Sequence, residues 1–134
     1  MAAPEPAPEP ADAIPRNVER DPDCIFCRIV SGGIPADIVG ETGGTVTFRD
    51  VSPQAPVHLL VVPRRHLENA AKAGREDGDL LAEMLAAANR AAGAEGIGAS
   101  GYRLVINVGP DALNSVPHLH MHVIGGRQMG WPPG

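Results

Sequence analysis

Three of the five histidines in this 134-residue chain fall in one run, His118-Leu119-His120-Met121-His122-Val123-Ile124. Polar and apolar residues alternate strictly through it, which predicts a half-buried β-strand. Successive side chains on a strand point to opposite faces, so the three imidazoles would share one face at steps of roughly 6.5–7 Å. Three titratable rings on one face suit a partner with charge or lone pairs, either a metal ion or a phosphoryl group. A catalytic zinc site needs three ligands and an activated water, usually with a carboxylate as base. No acidic residue lies between Asn114 and the C-terminus. The neighbours are instead Asn107, Asn114, Ser115 and Gly125-Gly126, neutral donors and open backbone that suit phosphate oxygens. A neutral imidazole is a competent nucleophile toward phosphorus, and an ordinary pKa of about 6.5 leaves it mostly uncharged at pH 7. Flanking rings can then stabilise charge on the phosphoryl oxygens. Residue chemistry therefore favours phosphate over metal at the triad. A purely hydrogen-bonding role for the three rings is the remaining alternative.

Cys24 and Cys27 form a second candidate set. The Cys-x-x-Cys spacing puts both thiolates on one side of a helical turn, close enough to chelate one ion. Two cysteines are half of a tetrahedral structural zinc site, so two ligands must come from elsewhere. His58 is the leading candidate for one of them. It sits in Val57-His58-Leu59-Leu60-Val61-Val62, otherwise apolar, where an unpaired imidazole is costly. The alternative is a pair of buried thiols acting as small apolar residues. A disulfide is the least expected outcome, because the N-terminus lacks the charged-then-apolar layout of an export signal.

The elements that must position these residues follow from pattern. Residues 1–20 are dominated by Ala, Pro and Glu, with Ala-Pro-Glu-Pro written twice, and read as a disordered tail with polyproline character. The folded domain is expected over 21–134. Asp23 can cap a short helix through Cys24 to Val30. Strands are expected at 38–41 and 45–49, joined by a Thr42-Gly43-Gly44 turn. The loop 50–56 leads into a central strand at 57–62. Pro63-Arg64-Arg65-His66 closes that strand as a basic cluster, either a solvated turn or an attraction for an anionic ligand. From Asp79 to about Ala94, Leu80, Leu81, Met84, Leu85 and Ala88 recur at helical spacing, with acidic residues at the N-terminal end where the macrodipole favours them. A strand at 102–108, a loop at 109–117 and the triad strand complete the domain, followed by an irregular tail. The order implies an α+β fold: one antiparallel sheet of five strands with one short and one long helix.

Composition sets the outer bounds. Apolar content is 43% but aromatic content only 3%, so the core must be aliphatic. A net charge of −5 gives no general attraction to nucleic acid or anionic membrane, and phosphate binding must come from a shaped local site. No apolar run approaches the ~20 residues that span a bilayer, and the chain reads as cytoplasmic. The lone Trp131, apolar and beyond the last strand, suggests an anchor at an interface, hence a homodimer.

With these residues in view, the chain resembles the histidine triad family, whose motif is His-x-His-x-His followed by two apolar residues. More specifically it is similar to the nucleotide-binding (Hint) branch of purine nucleoside phosphoramidases. The matching stretches are Phe48-Arg49-Asp50-Val51-Ser52-Pro53-Gln54-Ala55-Pro56, His58-Leu59-Leu60-Val61-Val62-Pro63 and the tail from Gly125 to Gly134. The resemblance runs from about Asp21 to Gly134. It implies hydrolysis of the P–N bond of adenosine or guanosine 5′-phosphoramidates, with no cofactor required for catalysis. His120 matches the nucleophile that becomes a nucleotidyl-histidine. His118 matches a supporting histidine, while His122, Asn107 and Ser115 match positions that hold the phosphate or leaving group. Asp50 matches the acceptor of the ribose hydroxyls. Phe26, Ile29, Ile34, Phe48 and Val51 match the apolar slot for the base, and His58 a further histidine near the triad. The resemblance also implies that His118 is the fourth zinc ligand, beside Cys24, Cys27 and His58. It implies a two-fold homodimer whose Trp131 tail reaches the partner's site. Leu113-Asn114 departs from the usual Gly-Gln of this branch, and Pro117 from an aromatic residue, which bears on the leaving group more than on nucleotide binding. A protein that binds nucleotide or a partner with incidental catalysis is the alternative from another class. Within enzymes, the triad also serves dinucleoside polyphosphate hydrolases and nucleotidyl transferases.

Overall fold

The computed structural model describes residues 20–134, so the expected tail at 1–20 lies, apart from Arg20, outside the described residues. Five strands form one antiparallel sheet: β1 (Ile38–Glu41), β2 (Thr45–Arg49), β3 (Val57–Pro63), β4 (Tyr102–Val105) and β5 (Met121–Gly125). Their order across the sheet is β1-β2-β3-β5-β4, and every neighbouring pair is antiparallel. Helix α1 (Ile25–Val30) covers one face and the long helix α2 (Gly78–Ala94) the other.

Why β3 reads as a continuous apolar run is now plain: all seven of its residues are buried, because both faces of the sheet are covered. Alternate side chains feed two separate cores. Val57, Leu59 and Val61 meet Leu80, Met84, Ala87 and Ala88 of α2, together with Leu119, Met121 and Val123. Leu60 and Val62 meet Phe26 and Ile29 of α1, together with Val46 and Phe48. The alternation around the triad therefore does what its pattern implies. Its apolar members face α2, leaving the histidines for the α1 face.

Three boundaries differ from the sequence reading. Helix α1 is capped by Cys24 rather than Asp23: the Cys27 N–H donates to Cys24 Sγ at 3.4 Å. Strand β4 ends at Val105 instead of Val108, leaving Asn107 beyond the ladder. Strand β5 starts at Met121, so His118 and His120 precede it and only His122 lies within it. The cause is Pro117 and the preceding loop, which bring the chain in along Leu67 (Leu119 N–H to Leu67 O, 2.6 Å) before regular pairing begins. The basic cluster is a paired turn. Arg64, buried, binds Glu41 and the Thr42 carbonyl, and Arg65 binds Asp77.

Candidate active site

The sheet register assembles the site. Leu60 lies opposite His122, and His58 opposite Ile124, so His58 and His122 are diagonal neighbours on the α1 face. On the other side of β3, the Asp50 N–H donates to the His58 carbonyl at 3.0 Å, one residue past the end of β2. Asp50, His58 and His122 thus meet across three strands although 72 residues of sequence separate their ends (122 − 50).

Backbone partners decide which ring nitrogen of each histidine carries its proton, since an N–H can only donate and a carbonyl only accept. His120 Nδ1 lies 2.7 Å from the His118 carbonyl and must donate to it. In the neutral ring the lone pair is then on Nε2, the nitrogen through which His120 can act as a nucleophile. His118 Nε2 donates to the Pro63 carbonyl at 2.9 Å, which turns the Nδ1 lone pair of His118 toward the cysteines. The Gln54 N–H donates to His58 Nδ1 at 3.0 Å, so the His58 proton sits on Nε2. His58 Nε2 then donates to His122 Nδ1 at 2.9 Å and lies 3.4 Å from Asp50 Oδ2. His122 in turn must carry its proton on Nε2, as a donor. Burial, with the neighbouring His120 and His58 rings adding to it, pushes the His122 pKa down to about 4, against an opposing pull from Asp50. Burial likewise takes His118 to about 4. Both rings are neutral at pH 7.

A cavity of about 630 Å³ opens beside these rings. His120, His122, Ser115 and Asp50 line it, with Phe26, Ile29, Ile34, Phe48 and Val51 supplying apolar surface. Phe26 and His120 meet edge-to-face with ring centroids 5.1 Å apart, as do His120 and His122, also 5.1 Å. Phe26, Ile29 and Phe48 belong to the core and line the cavity at once, whereas Val51 is 97% exposed and forms its rim. The arrangement offers a nucleophile, a neutral donor ring, a hydroxyl, a carboxylate and an apolar slot. A larger groove of about 720 Å³ between Tyr102-Arg103 and the 126–129 segment is lined by two arginines but by no histidine or carboxylate. Chemistry, not size, selects the site.

Two expected contributors stand apart from this cavity. Asn114 lines a separate space of about 200 Å³ with Glu68, Asn69, Gly109, Pro110 and Pro117, and its buried Oδ1 has no hydrogen-bond partner. Leu113 beside it is the one non-glycine residue with positive φ (62°) among the described residues, and its side chain is 83% exposed. Asn107 is half-buried, two residues past Val105, which pairs with His122.

Cys24 and Cys27, both free and buried, do gather histidines, but not the pair expected. His118 is there; His58 is not, being held by Gln54, His122 and Asp50. His66 takes its place. Cys24 Sγ lies 3.3 Å from His118 Nδ1, Cys27 Sγ 3.4 Å from His66 Nδ1 and 3.6 Å from His118 Nδ1, and the two Nδ1 atoms are 3.2 Å apart. All four ligand atoms lie within 4.8 Å of one another. Zinc–sulfur and zinc–nitrogen bonds of usual length would give a tetrahedron with edges of about 3.3–3.8 Å, and the observed separations fit a zinc ion. Burial raises the Cys27 thiol pKa, which a bound cation would reverse. Sequence reasoning missed His66 because it closes a run read as a basic turn. Its place beside His118 is set by the segment after β3 running along the segment before β5, a contact no local pattern reveals.

Comparison with known proteins agrees with this geometry. Residues 31–129 match the HIT domain family model. The chain is 47% identical over 112 residues to an uncharacterized HIT-like protein of Synechococcus elongatus, covering 84% of this chain and 97% of that one. It is 46% identical over 116 residues to the adenylylsulfatase HINT1 of Arabidopsis thaliana, covering 85% and 78%. The crystal structure of a HIT family hydrolase from Legionella pneumophila Philadelphia 1 superposes with a TM-score of 0.82 at 46% identity, covering 84% of this chain and 100% of that one. A five-stranded antiparallel sheet with one main helix, the single-faced histidine triad and this breadth of similarity have one reading: the chain is a HIT family hydrolase of the Hint-like type.

Proposed function

We propose that this hydrolase cleaves the P–N bond of purine nucleoside 5′-phosphoramidates through a nucleotidyl-histidine on His120. The observation that carries the reading is the 2.7 Å bond from His120 Nδ1 to the His118 carbonyl. In the neutral ring it places the lone pair on Nε2, beside a cavity that has a carboxylate, Asp50, and an apolar slot. His120 Nε2 attacks the α-phosphorus, and the P–N bond breaks as the leaving nitrogen takes the Ser115 hydroxyl proton. His122 Nε2–H donates to a phosphoryl oxygen, where charge develops. Water then attacks the phosphorus and gives a proton back to Ser115 Oγ; the P–Nε2 bond breaks, its electron pair returns to His120, and the nucleoside monophosphate is released. Asp50 accepts the ribose hydroxyls, and Phe26, Ile29, Ile34, Phe48 and Val51 enclose the base. Asn107, beyond the end of β4, stands outside the cavity wall and takes no part in the phosphate contacts. Asn114 faces its own cavity and has no role in this step.

Zinc belongs to this proposal in a structural role, held by Cys24, Cys27, His66 and His118. It would supply cross-linking of α1 to the segment before β5, and no bond-making. The chain's own residues do the positioning: the His118 carbonyl that zinc ligation steadies is the one that orients His120. We also place a homodimer here. The outer edge of β4 is unpaired within the chain, Ile106 and Val108 beyond it are exposed, and Trp131 is 82% exposed.

The test is a panel assayed side by side: adenosine and guanosine phosphoramidates, adenylyl sulfate, and dinucleoside polyphosphates. Adenylyl sulfate is included because the Arabidopsis relative is named an adenylylsulfatase, and attack on the same phosphorus would serve both. Phosphoramidates are expected to turn over fastest, and His120→Ala to lose on the order of 10³-fold or more in kcat while still binding AMP. Turnover of that variant within tenfold of wild type would end the assignment. Full phenotypic complementation by the inactive variant would favour a binding protein with incidental catalysis.

A further inference from the structure

The segment 114–117 is a wall with a cavity on each side. Ser115 and Val116 line the nucleotide cavity, whereas Asn114 and Pro117 line the smaller space of about 200 Å³ together with Glu68, Asn69, Gly109 and Pro110. Consecutive Cα atoms of a chain are ~3.8 Å apart, so Ser115 and Asn114 bring the two spaces within one residue of each other. The smaller space is short of donors. Pro110 and Pro117 carry no N–H, and the Asn114 N–H is spent on the Gly109 carbonyl at 3.1 Å. Its acceptors, by contrast, are uncommitted. Asn114 Oδ1 is buried without a hydrogen-bond partner, an unfavourable state for a polar atom. Glu68 forms no ion pair among the described residues. The loop also keeps this shape against a local preference. Leu113 has φ 62°, a region its Cβ disfavours, and its N–H on the Pro110 carbonyl at 3.0 Å fixes it there. Its side chain is 83% exposed, so packing does not offset the strain. Backbone strain held in this way is a mark of functional loops.

We infer that this second cavity is a subsite for a cationic substituent on the leaving group, an ammonium or guanidinium carried by the departing amine. The inference rests on the phosphoramidase reading above, in which the leaving nitrogen takes the Ser115 proton and so lies against Ser115. A substituent on that nitrogen has the 114–117 wall beside it, and a short carbon chain carries its far end over to Asn114. There a charged N–H group donates to Asn114 Oδ1 and faces the Glu68 carboxylate. An ammonium suits both, having three donors and no acceptor. A neutral alkyl end leaves Asn114 Oδ1 unpaired, and a carboxylate end meets Glu68 with like charge, so the cavity rejects as well as attracts. Bond-making is unchanged, because neither Glu68 nor Asn114 lines the nucleotide cavity.

Adenosine 5′-phosphoramidates with matched chains decide it: those of 1-aminopentane, 1,5-diaminopentane and 5-aminopentanoate. The full chain is expected to favour the diamine over the neutral amine by about tenfold in kcat/KM, with the anionic one slowest. Added salt should shrink that gap, because Glu68 is exposed. Glu68→Gln should bring the diamine and the neutral amine within about twofold of each other. Glu68→Lys should reverse the order in favour of the carboxylate, with thermal midpoint and AMP affinity reporting that fold and nucleotide cavity are intact. Asn114→Ala removes the buried acceptor and should reduce the diamine preference without changing its sign. Equal kcat/KM for the diamine and the neutral amine in wild type, or an order that survives Glu68→Lys in a folded variant, would overturn the subsite. No turnover of any phosphoramidate by protein that binds AMP would instead refute the phosphoramidase reading. Calorimetric titration of AMP-loaded protein with free 1,5-diaminopentane then judges the cation site alone. Binding that Glu68→Lys abolishes supports it, and no binding up to millimolar diamine overturns it.

Discussion

At the scale of residues, the chemistry lies in which nitrogen holds a proton. Five histidines lie in or near this site and four take their tautomer from a fixed partner. His58 is a positioning residue, because it acts on a substrate only through His122. Replacing it with alanine should lower kcat by on the order of 10–100-fold with little change in KM, and His58→Gln, whose amide N–H can reach His122, should recover part of the loss. Equal kcat for wild type and His58→Ala would remove the relay. A pH effect follows from the same burial. His122 has a folded pKa of about 4, below the unfolded value of about 6.5. Between those values the unfolded chain binds more protons than the folded one, so stability rises with pH there. It is fully present above about pH 6.5 and is lost as pH falls toward 4. Thermal midpoints measured from pH 7 to pH 4 should decline through that window, and a flat profile would contradict neutral burial of the ring.

Among the elements, α1 is the one least able to stand alone. Six residues are far too few for an isolated helix, yet this one carries Phe26 and Ile29 over the cavity and both candidate zinc thiols beside it. Zinc removal should therefore loosen the site as well as the fold. Chelation, or Cys24→Ser, is expected to lower the thermal midpoint by about 10 °C or more and to weaken AMP binding. Protein purified without chelator should contain close to one zinc per chain by elemental analysis. Less than about a tenth of an equivalent, with melting unchanged by chelator, would leave the thiols as ordinary buried residues. The sheet, by contrast, holds itself: truncating the fully buried Leu59 to alanine should cost about 2–5 kcal/mol wherever zinc stands.

On the scale of the whole molecule, the open edge of β4 and the C-terminal tail decide what a second copy can do. Arg103 ties the tail down by donating to the Gly130 carbonyl and lying 5.8 Å over the Trp131 ring, but Trp131 keeps most of its surface exposed. Light scattering at micromolar concentration should report about twice the 13.9 kDa chain mass. Deleting the residues after Arg127 should alter the ranking of substrates more than the melting temperature. A monomeric mass would refute the dimer. No helix among the described residues is long and apolar enough to cross a membrane.

Much of this protein was legible in local pattern. The two strands of the first hairpin lie where the alternation and the Thr42-Gly43-Gly44 turn place them, and α2 starts within a residue of its expected start because the acidic first turn and the Leu80, Met84, Ala88 stripe are both local. The triad declared itself by spacing, and its apolar partners face α2 as a period of two demands. What the pattern could not contain was register. Whether His58 meets the cysteines or meets His122 depends on how β3 pairs with β5 and β2, and a shift of one residue would send its ring to the α2 face. The choice of His66 over His58 beside Cys24 and Cys27, the single proton shared among Asp50, His58 and His122, and the turning of Asn114 into its own cavity all arise from contacts between segments far apart in the chain. Residue types and spacing determined which chemistry this protein holds; pairing across the sheet decided which histidine does which part of it.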